Sequence, residues 1–121
     1  MRRHNFKKLQ IWQDAMELID DNYLLTATLT DYEKFGLRTQ MNRCSVSIAS
    51  NISEGTSKRT DRYFVKFLDD SLGSAFEWET QLTICFRQNF INEESFLKLE
   101  GKIKALQGKI SNFMDTLDPN I

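Results

Sequence analysis

The sequence predicts an all-α protein folded as an up-down-up-down antiparallel four-helix bundle, and three observations carry that reading. Four long segments repeat apolar residues every three or four positions, the mark of one buried helix face. The 121 residues include one proline and five glycines, too few for the turns of a sandwich or barrel. Short breaks separate the segments, which makes consecutive helices antiparallel neighbours. The length suits a single domain over residues 1–121, with residues 1–8 as an N-terminal tail.

The first helix is predicted from about Leu9 to Thr28, with Leu9, Trp12, Met16, Ile19, Tyr23 and Ala27 as its core stripe. The break LTDYEKFG follows, with Asp31 and Gly36 as its turn residues. The second helix runs from about Phe35 to Glu54 and buries Leu37, Met41, Cys44, Ile48 and Ile52. Gly55 comes just past the last periodic residue, where a left-handed C-terminal residue is expected. Thr60 is placed to cap the third helix, with Asp61 favourable to the dipole in its first turn. Its stripe is Phe64, Phe67, Leu68, Ser71, Ala75, Trp78, Leu82, Cys85 and Phe86, ending near Asn89 or Phe90. The fourth helix starts after Asn92, with Glu93 and Glu94 in its first turn. It buries Phe96, Leu99, Ile103, Leu106, Ile110, Phe113 and Leu117, and Pro119 closes it.

A second line of residues runs along some helices. Ile11, Leu18 and Leu25 recur by seven on the far side of the first helix. Gly101, Ala105, Gly108 and Asn112 lie opposite the core stripe of the fourth, and Leu72 and Phe76 flank that of the third. Each mid-helix glycine costs about 1 kcal/mol relative to alanine, which close approach of another backbone would offset. Self-association through Ile11, Leu18, Leu25, Gly101 and Gly108 is therefore expected.

Composition excludes several function classes. No apolar run approaches the roughly 18 residues of a membrane span, and no apolar segment follows the basic start as in a secretory signal. The expected location is cytoplasmic, where Cys44 and Cys85, both on core stripes, are buried free thiols. The one histidine, His4, lies in the tail and is expected to be solvated. Without a second histidine near the core, Ser/His/Asp and Cys/His constellations cannot be built. HExxH and the paired Glu-x-x-His of di-iron bundles are absent. The expectation is a non-enzyme with no catalytic residue, metal or cofactor.

Four polar features remain. Glu77 and Glu79 are two apart on a helix, so they diverge and serve separate contacts. Arg43, Ser47, Ser50, Asn51 and Glu54 line one side of the second helix. With Glu77 and Glu79 they suggest a structural polar network in which Arg43 pairs with one of those glutamates. Asn51-Ile52-Ser53 matches a glycosylation pattern without a secretory context, and SEGTSKRT lacks the second glycine and preceding strand of a phosphate-binding loop. What survives there is charge. The formal net charge is −1, but residues 1–66 hold 11 Lys/Arg against 8 Asp/Glu, and residues 67–121 hold 5 against 9. Lys58, Arg59, Arg62 and Lys66 gather at a helix N-terminus, which favours anions. With Arg43 they are the candidate nucleic-acid-binding residues, and Arg2, Arg3, Lys7 and Lys8 form a second basic cluster. On a single chain the bland alternative is a solvated charged turn. In a ring of subunits the field of the patch would add up.

LQIWQDAMEL, YEKFGLRTQMNRCSVSIASNISEG and FVKFLDDSLGSAFEWETQL resemble the four-helix-bundle family encoded in intervening sequences of bacterial 23S ribosomal RNA genes. The likeness extends from about Phe6 to Ile91, with GL, SNI, EG, GS and ETQL in order. Asn42 departs from the pattern by standing where the family often has an arginine. Cys44 replaces an alanine, Ala49 a proline and Ser53 an alanine. The resemblance implies a homo-oligomer, relatives forming pentameric rings, and no established enzymatic activity. The related accessory proteins of diversity-generating retroelements bind nucleic acid and a reverse transcriptase, and are more basic than this chain. Two functions follow as expectations: an oligomeric module that binds RNA or DNA through basic patches, or a scaffold that binds a protein partner through outer helix faces.

Overall fold

The computed structural model describes residues 4–117. After a single 3-10 turn at Phe6–Lys8 come α1 (Gln10–Thr26), α2 (Phe35–Thr56), α3 (Asp61–Arg87) and α4 (Glu93–Leu117). A second 3-10 turn, Tyr32–Lys34, leads into α2. Among the described residues there is no strand, and the protein is an all-α four-helix bundle. The cross-links run in opposite directions along neighbouring helices, as antiparallel packing requires. Ile48 and Gly55 of α2 meet Ser71 and Phe64 of α3, and Asp21 and Asp14 of α1 meet Lys102 and Lys109 of α4. The α2–α3 contact is the most extensive and the α1–α4 contact the least.

Helix ends follow local chemistry. Thr60 Oγ1 accepts from Tyr63 N at 3.2 Å, and Asn92 Oδ1 accepts from Ser95 N at 2.8 Å. Both satisfy a backbone donor that the first turn leaves unpaired. α3 ends on Asn89, whose φ of 63° is left-handed. Phe90 N then reaches Cys85 O at 2.8 Å and Asn89 N reaches Phe86 O at 3.0 Å, the paired bonds of a Schellman ending. Pro119, expected to close α4, lies outside the described residues.

Gly55 is corrected. It has no positive φ and sits inside α2, which continues to Thr56. Its need for glycine is spatial: a Cβ there would lie 2.7 Å from Phe64 Cδ1 and 3.0 Å from Phe67 Cβ. Nearby, Ser71 Oγ donates to Ile48 O at 2.8 Å. Small residues thus bring α2 and α3 together.

The stripes of α2, α3 and α4 point into the core as their periodicity predicts, with Met41, Ile48, Ile52, Leu68, Trp78, Leu82, Ile103 and Ile110 fully buried. α1 is the exception, and its two faces are exchanged. Ile11, Ala15, Leu18 and Leu25, three of them expected at an oligomer interface, are in the chain's own core. Met16 and Tyr23, expected inside, are 38% and 48% exposed, Ala27 is exposed, and Leu9, Trp12 and Ile19 are half-buried. The cause is polar. Trp78 is fully buried, and its Nε1 donates to Asn22 Oδ1 at 2.9 Å. Asn22 Nδ2 and Thr26 Oγ1 both donate to Asn42 Oδ1, each at 2.8 Å. A buried indole N–H needs an acceptor, and supplying it turns the Asn22 face of α1 inward.

Two outcomes are expected in urea titrations. Asn22→Ala leaves the Trp78 N–H unpaired and destabilises by roughly 1–3 kcal/mol. Gly55→Ala destabilises by roughly 1–3 kcal/mol through overpacking. By contrast, Gly101→Ala and Gly108→Ala, where an added Cβ meets nothing within 4 Å, stabilise the isolated chain by about 1 kcal/mol each.

Candidate nucleic-acid interface

The chain between α2 and α3 turns tightly, with Ser57 N on Glu54 O and Lys58 N on Gly55 O. Lys58 and Arg59 occupy this turn, and Arg62 and Lys66 follow on the first two turns of α3. Lys58 Nζ lies 4.7 Å from the Phe67 ring centroid, and Lys66 Nζ lies 5.5 Å from that of Tyr63.

The N-terminal segment folds onto the same end of the bundle. The His4 ring is 5.2 Å from Phe64 and 6.0 Å from Phe113, and Phe6 packs edge-on against Trp12 at 5.3 Å. Although His4 is exposed, its ring rests on Phe113 and on Phe64, the side chain that fills the space beside Gly55. Asn5 Oδ1 accepts from Lys7 N, and Gln13 Nε2 donates to Lys7 O at 2.9 Å. Lys7 and Lys8 thereby lie at the same end of the bundle as Lys58, Arg59, Arg62 and Lys66, on a turn packed against α1 and α2. Arg2 and Arg3 of the expected second cluster lie outside the described residues.

None of these six cations makes an ion pair among the described residues, whose ion pairs involve Lys34, Lys102, Lys104 and Lys109 instead. The same stretches carry two carboxylates, Glu54 and Asp61. The next turn of α3 brings Asp69 and Asp70, both exposed. The basic surface is therefore short.

Arg43 lies elsewhere. Thirteen residues of helix separate it from Thr56, about 20 Å along the axis. There it lines a shallow groove with Gln40, Ser47, Ser74 and Glu77. The expected ion pair is corrected: Arg43 is exposed and pairs with neither Glu77 nor Glu79. Exposed pairs gain little over hydration, and both glutamates have other partners. Cys44 Sγ donates to Glu77 Oε2 at 3.3 Å, and Gln107 Nε2 donates to Glu79 Oε1 at 2.8 Å. Glu77 thus serves α2 and Glu79 serves α4, a divergence their spacing predicts. Ser47 and Ser74 hydroxyls meet at 3.0 Å, and Asn51 Nδ2 donates to Ser47 O and Oγ. Glu54, expected in this network, is bonded to none of its members: its carbonyl accepts from Ser57 N and Oγ, one turn further on.

Burial, with the Glu77 hydrogen bond and charge added, pushes the Cys44 thiol up to about 12, and burial pushes Cys85 up to about 11. Both remain protonated near neutrality and are poor nucleophiles. No group of three His, Cys, Asp or Glu among the described residues is placed to hold a metal ion, and no described helix is long and apolar enough to cross a membrane.

The α1–α4 seam is ionic. Lys102 Nζ lies 3.1 Å from Glu17 and 2.8 Å from Asp21, and Lys109 Nζ lies 2.7 Å from Asp14. Burial pushes the Asp14 carboxyl up, but hydrogen bonds from Lys109 and Gln10 and the Lys109 charge more than reverse it, holding it below its usual value. Hydrogen bonds to Asp21 and Glu17 raise Lys102.

Sequence reasoning missed Tyr63, an exposed aromatic set between Arg62 and Lys66 in RTDRYFVK. The interleaving of ring and cations was its signal. It also missed Asn22 and Thr26, whose role depends on a tryptophan two helices away.

A family model described as 23S rRNA-intervening sequence protein matches residues 7–112. A crystal structure of a protein of unknown function from Bacteroides thetaiotaomicron VPI-5482, of the S23 ribosomal protein family, is similar with a TM-score of 0.80 at 21% identity. The match covers 86% of this chain and 97% of that one, and shows the shared fold. No curated protein matches.

The seam has a defined pH dependence. Asp14 is depressed in the fold, so its contribution is present above the unfolded carboxylate value and lost as pH falls through the folded one. Lys102 is raised, so its contribution is present below the unfolded lysine value and lost as pH rises through the folded one. Lys109→Ala should therefore cost stability at pH 7 and progressively less below about pH 4. Chemical unfolding midpoints of both proteins across that range check it.

Proposed function

Because the chain belongs to the 23S rRNA-intervening sequence protein family and gathers at one end cations that form no ion pair among the described residues, we propose that it is a non-enzymatic, homo-oligomeric bundle protein that binds RNA or DNA. The observation that supports this reading is the gathering of Lys58, Arg59, Arg62 and Lys66 at the α2–α3 junction, with Lys7 and Lys8 at the same end of the bundle, none in an ion pair among the described residues. Forming an internal ion pair would have neutralised these charges; left free, they are available to phosphates, whose counterions are released on binding. The N-terminus of α3 adds oriented N–H groups at the same place.

Self-association, pentameric by the family resemblance, would repeat this end around a ring and sum its field. With Ile11, Leu18 and Leu25 inside the core, the surfaces left for it are the outward Gly101 and Gly108 of α4 and the half-exposed Trp12, Met16, Ile19 and Tyr23 of α1. That α1 face also supports a second reading, a scaffold for a protein partner, which recovery of a partner after nuclease treatment would favour.

Fluorescence anisotropy with RNA fragments at several salt concentrations tests the first reading. Affinity should fall with salt, and the logarithmic slope should lose about 0.7–0.9 for each phosphate-contacting cation removed. Replacing Lys58, Arg59, Arg62 and Lys66 together by alanine should abolish binding, whereas Arg43→Ala, about 20 Å away along α2, should change it little. Absence of binding at low salt overturns the proposal.

A further inference from the structure

Resting on that nucleic-acid reading, we infer that the basic end recognises single-stranded nucleic acid, with Tyr63 as the platform on which one base stacks. Tyr63 lies on the first turn of α3 and is 56% exposed. The Lys66 ammonium lies over its ring, 5.5 Å from the centroid. The backbone N–H of Tyr63 is held by the Thr60 cap, so its position is fixed while more than half of its surface faces solvent. Arg62 precedes it and Lys66 follows three residues later, so all three share the solvent face of α3.

Duplex bases are stacked inside their helix and leave an aromatic side chain nothing to cover. An unpaired base offers its face, and a ring flanked by cations holds base and phosphate together. Other exposed aromatics lack this setting. Tyr32 lies between Asp31 and Glu33, and Phe76 precedes Glu77. Phe35 lies beneath Arg38 at 5.8 Å, but the neighbouring Lys34 is already paired with Asp31 at 3.2 Å. The footprint is short, because Asp69 and Asp70 follow Lys66 on the next turn. A loop or strand end suits it better than a long tract.

The test uses the full chain and one fluorescent 12-nucleotide RNA, either alone or annealed to its complement. Tyr63→Ala should weaken binding to the single strand about tenfold with an unchanged salt slope, and leave duplex binding as it was. Tyr63→Phe keeps the ring face and should bind within about twofold of wild type. Tyr63 is exposed, and matching thermal melts confirm that both variants fold. If Tyr63→Ala binds the single strand as wild type does, or if duplex and single strand bind equally, stacking is overturned. In that event loss of binding in the four-cation variant still upholds the phosphate reading. If the four-cation variant binds like wild type, the phosphate reading fails, and this inference fails with it.

Discussion

A single buried donor, the indole N–H of Trp78, sets much of this architecture. Trp78 is completely enclosed, and an unpaired N–H there would cost about 1–3 kcal/mol. Asn22 supplies the acceptor, and its own amide is then satisfied by Asn42, which also accepts from Thr26. One chain of bonds therefore fixes α1, α2 and α3 against one another. An arginine at position 42 would offer only donors to these two donors. Asparagine offers the oxygen they need.

The orientation of α1 has consequences at both of its flanks. With Asn22 inward, Asp14, Glu17 and Asp21 face α4, where Lys102 and Lys109 meet them. Trp12 turns outward and receives Phe6. The segment before it then lays His4 on Phe64 and Phe113, keeping Lys7 and Lys8 at the end of the bundle where α2 turns into α3. The basic end thus depends on a polar contact deep in the bundle.

The same contact explains what the sequence shows and what it hides. The helices of α2, α3 and α4 each have one dominant apolar stripe, so periodicity alone orients them. In α1, Trp12, Met16, Ile19 and Tyr23 outweigh a true core face that includes Asn22 and Thr26. Hydrophobicity ranks the faces wrongly because it cannot see the Trp78 donor. Gly55 shows a related ambiguity: a glycine at the end of a stripe fits a left-handed ending and a close approach equally well. Asn89, not Gly55, carries the positive φ. The charge run Lys58 to Lys66 was legible, but placing Lys7 and Lys8 at the same end of the bundle required the path of the N-terminal segment. Arg43 was grouped with it by charge and separated from it by helix length.

Near-neutral net charge is a weak argument against a polyanionic ligand for a molecule built this way. α2 has 22 residues, which span about 33 Å. At physiological ionic strength exposed charges are screened over about 8 Å. Asp31, Glu33, Glu93 and Glu94 sit at the opposite end, beside the α1–α2 and α3–α4 connections. They lower the total without lowering the potential felt at Lys58 or Arg62. Glu17, Asp21 and Asp14 are engaged with Lys102 and Lys109, so they contribute little field of their own. The carboxylates that count locally are Glu54, Asp61, Asp69 and Asp70, with Asp115 on the last turns of α4 beside Phe113, against six cations that form no ion pair among the described residues. The formal charge averages over a length several times the screening distance, and the basic end responds to its own neighbourhood.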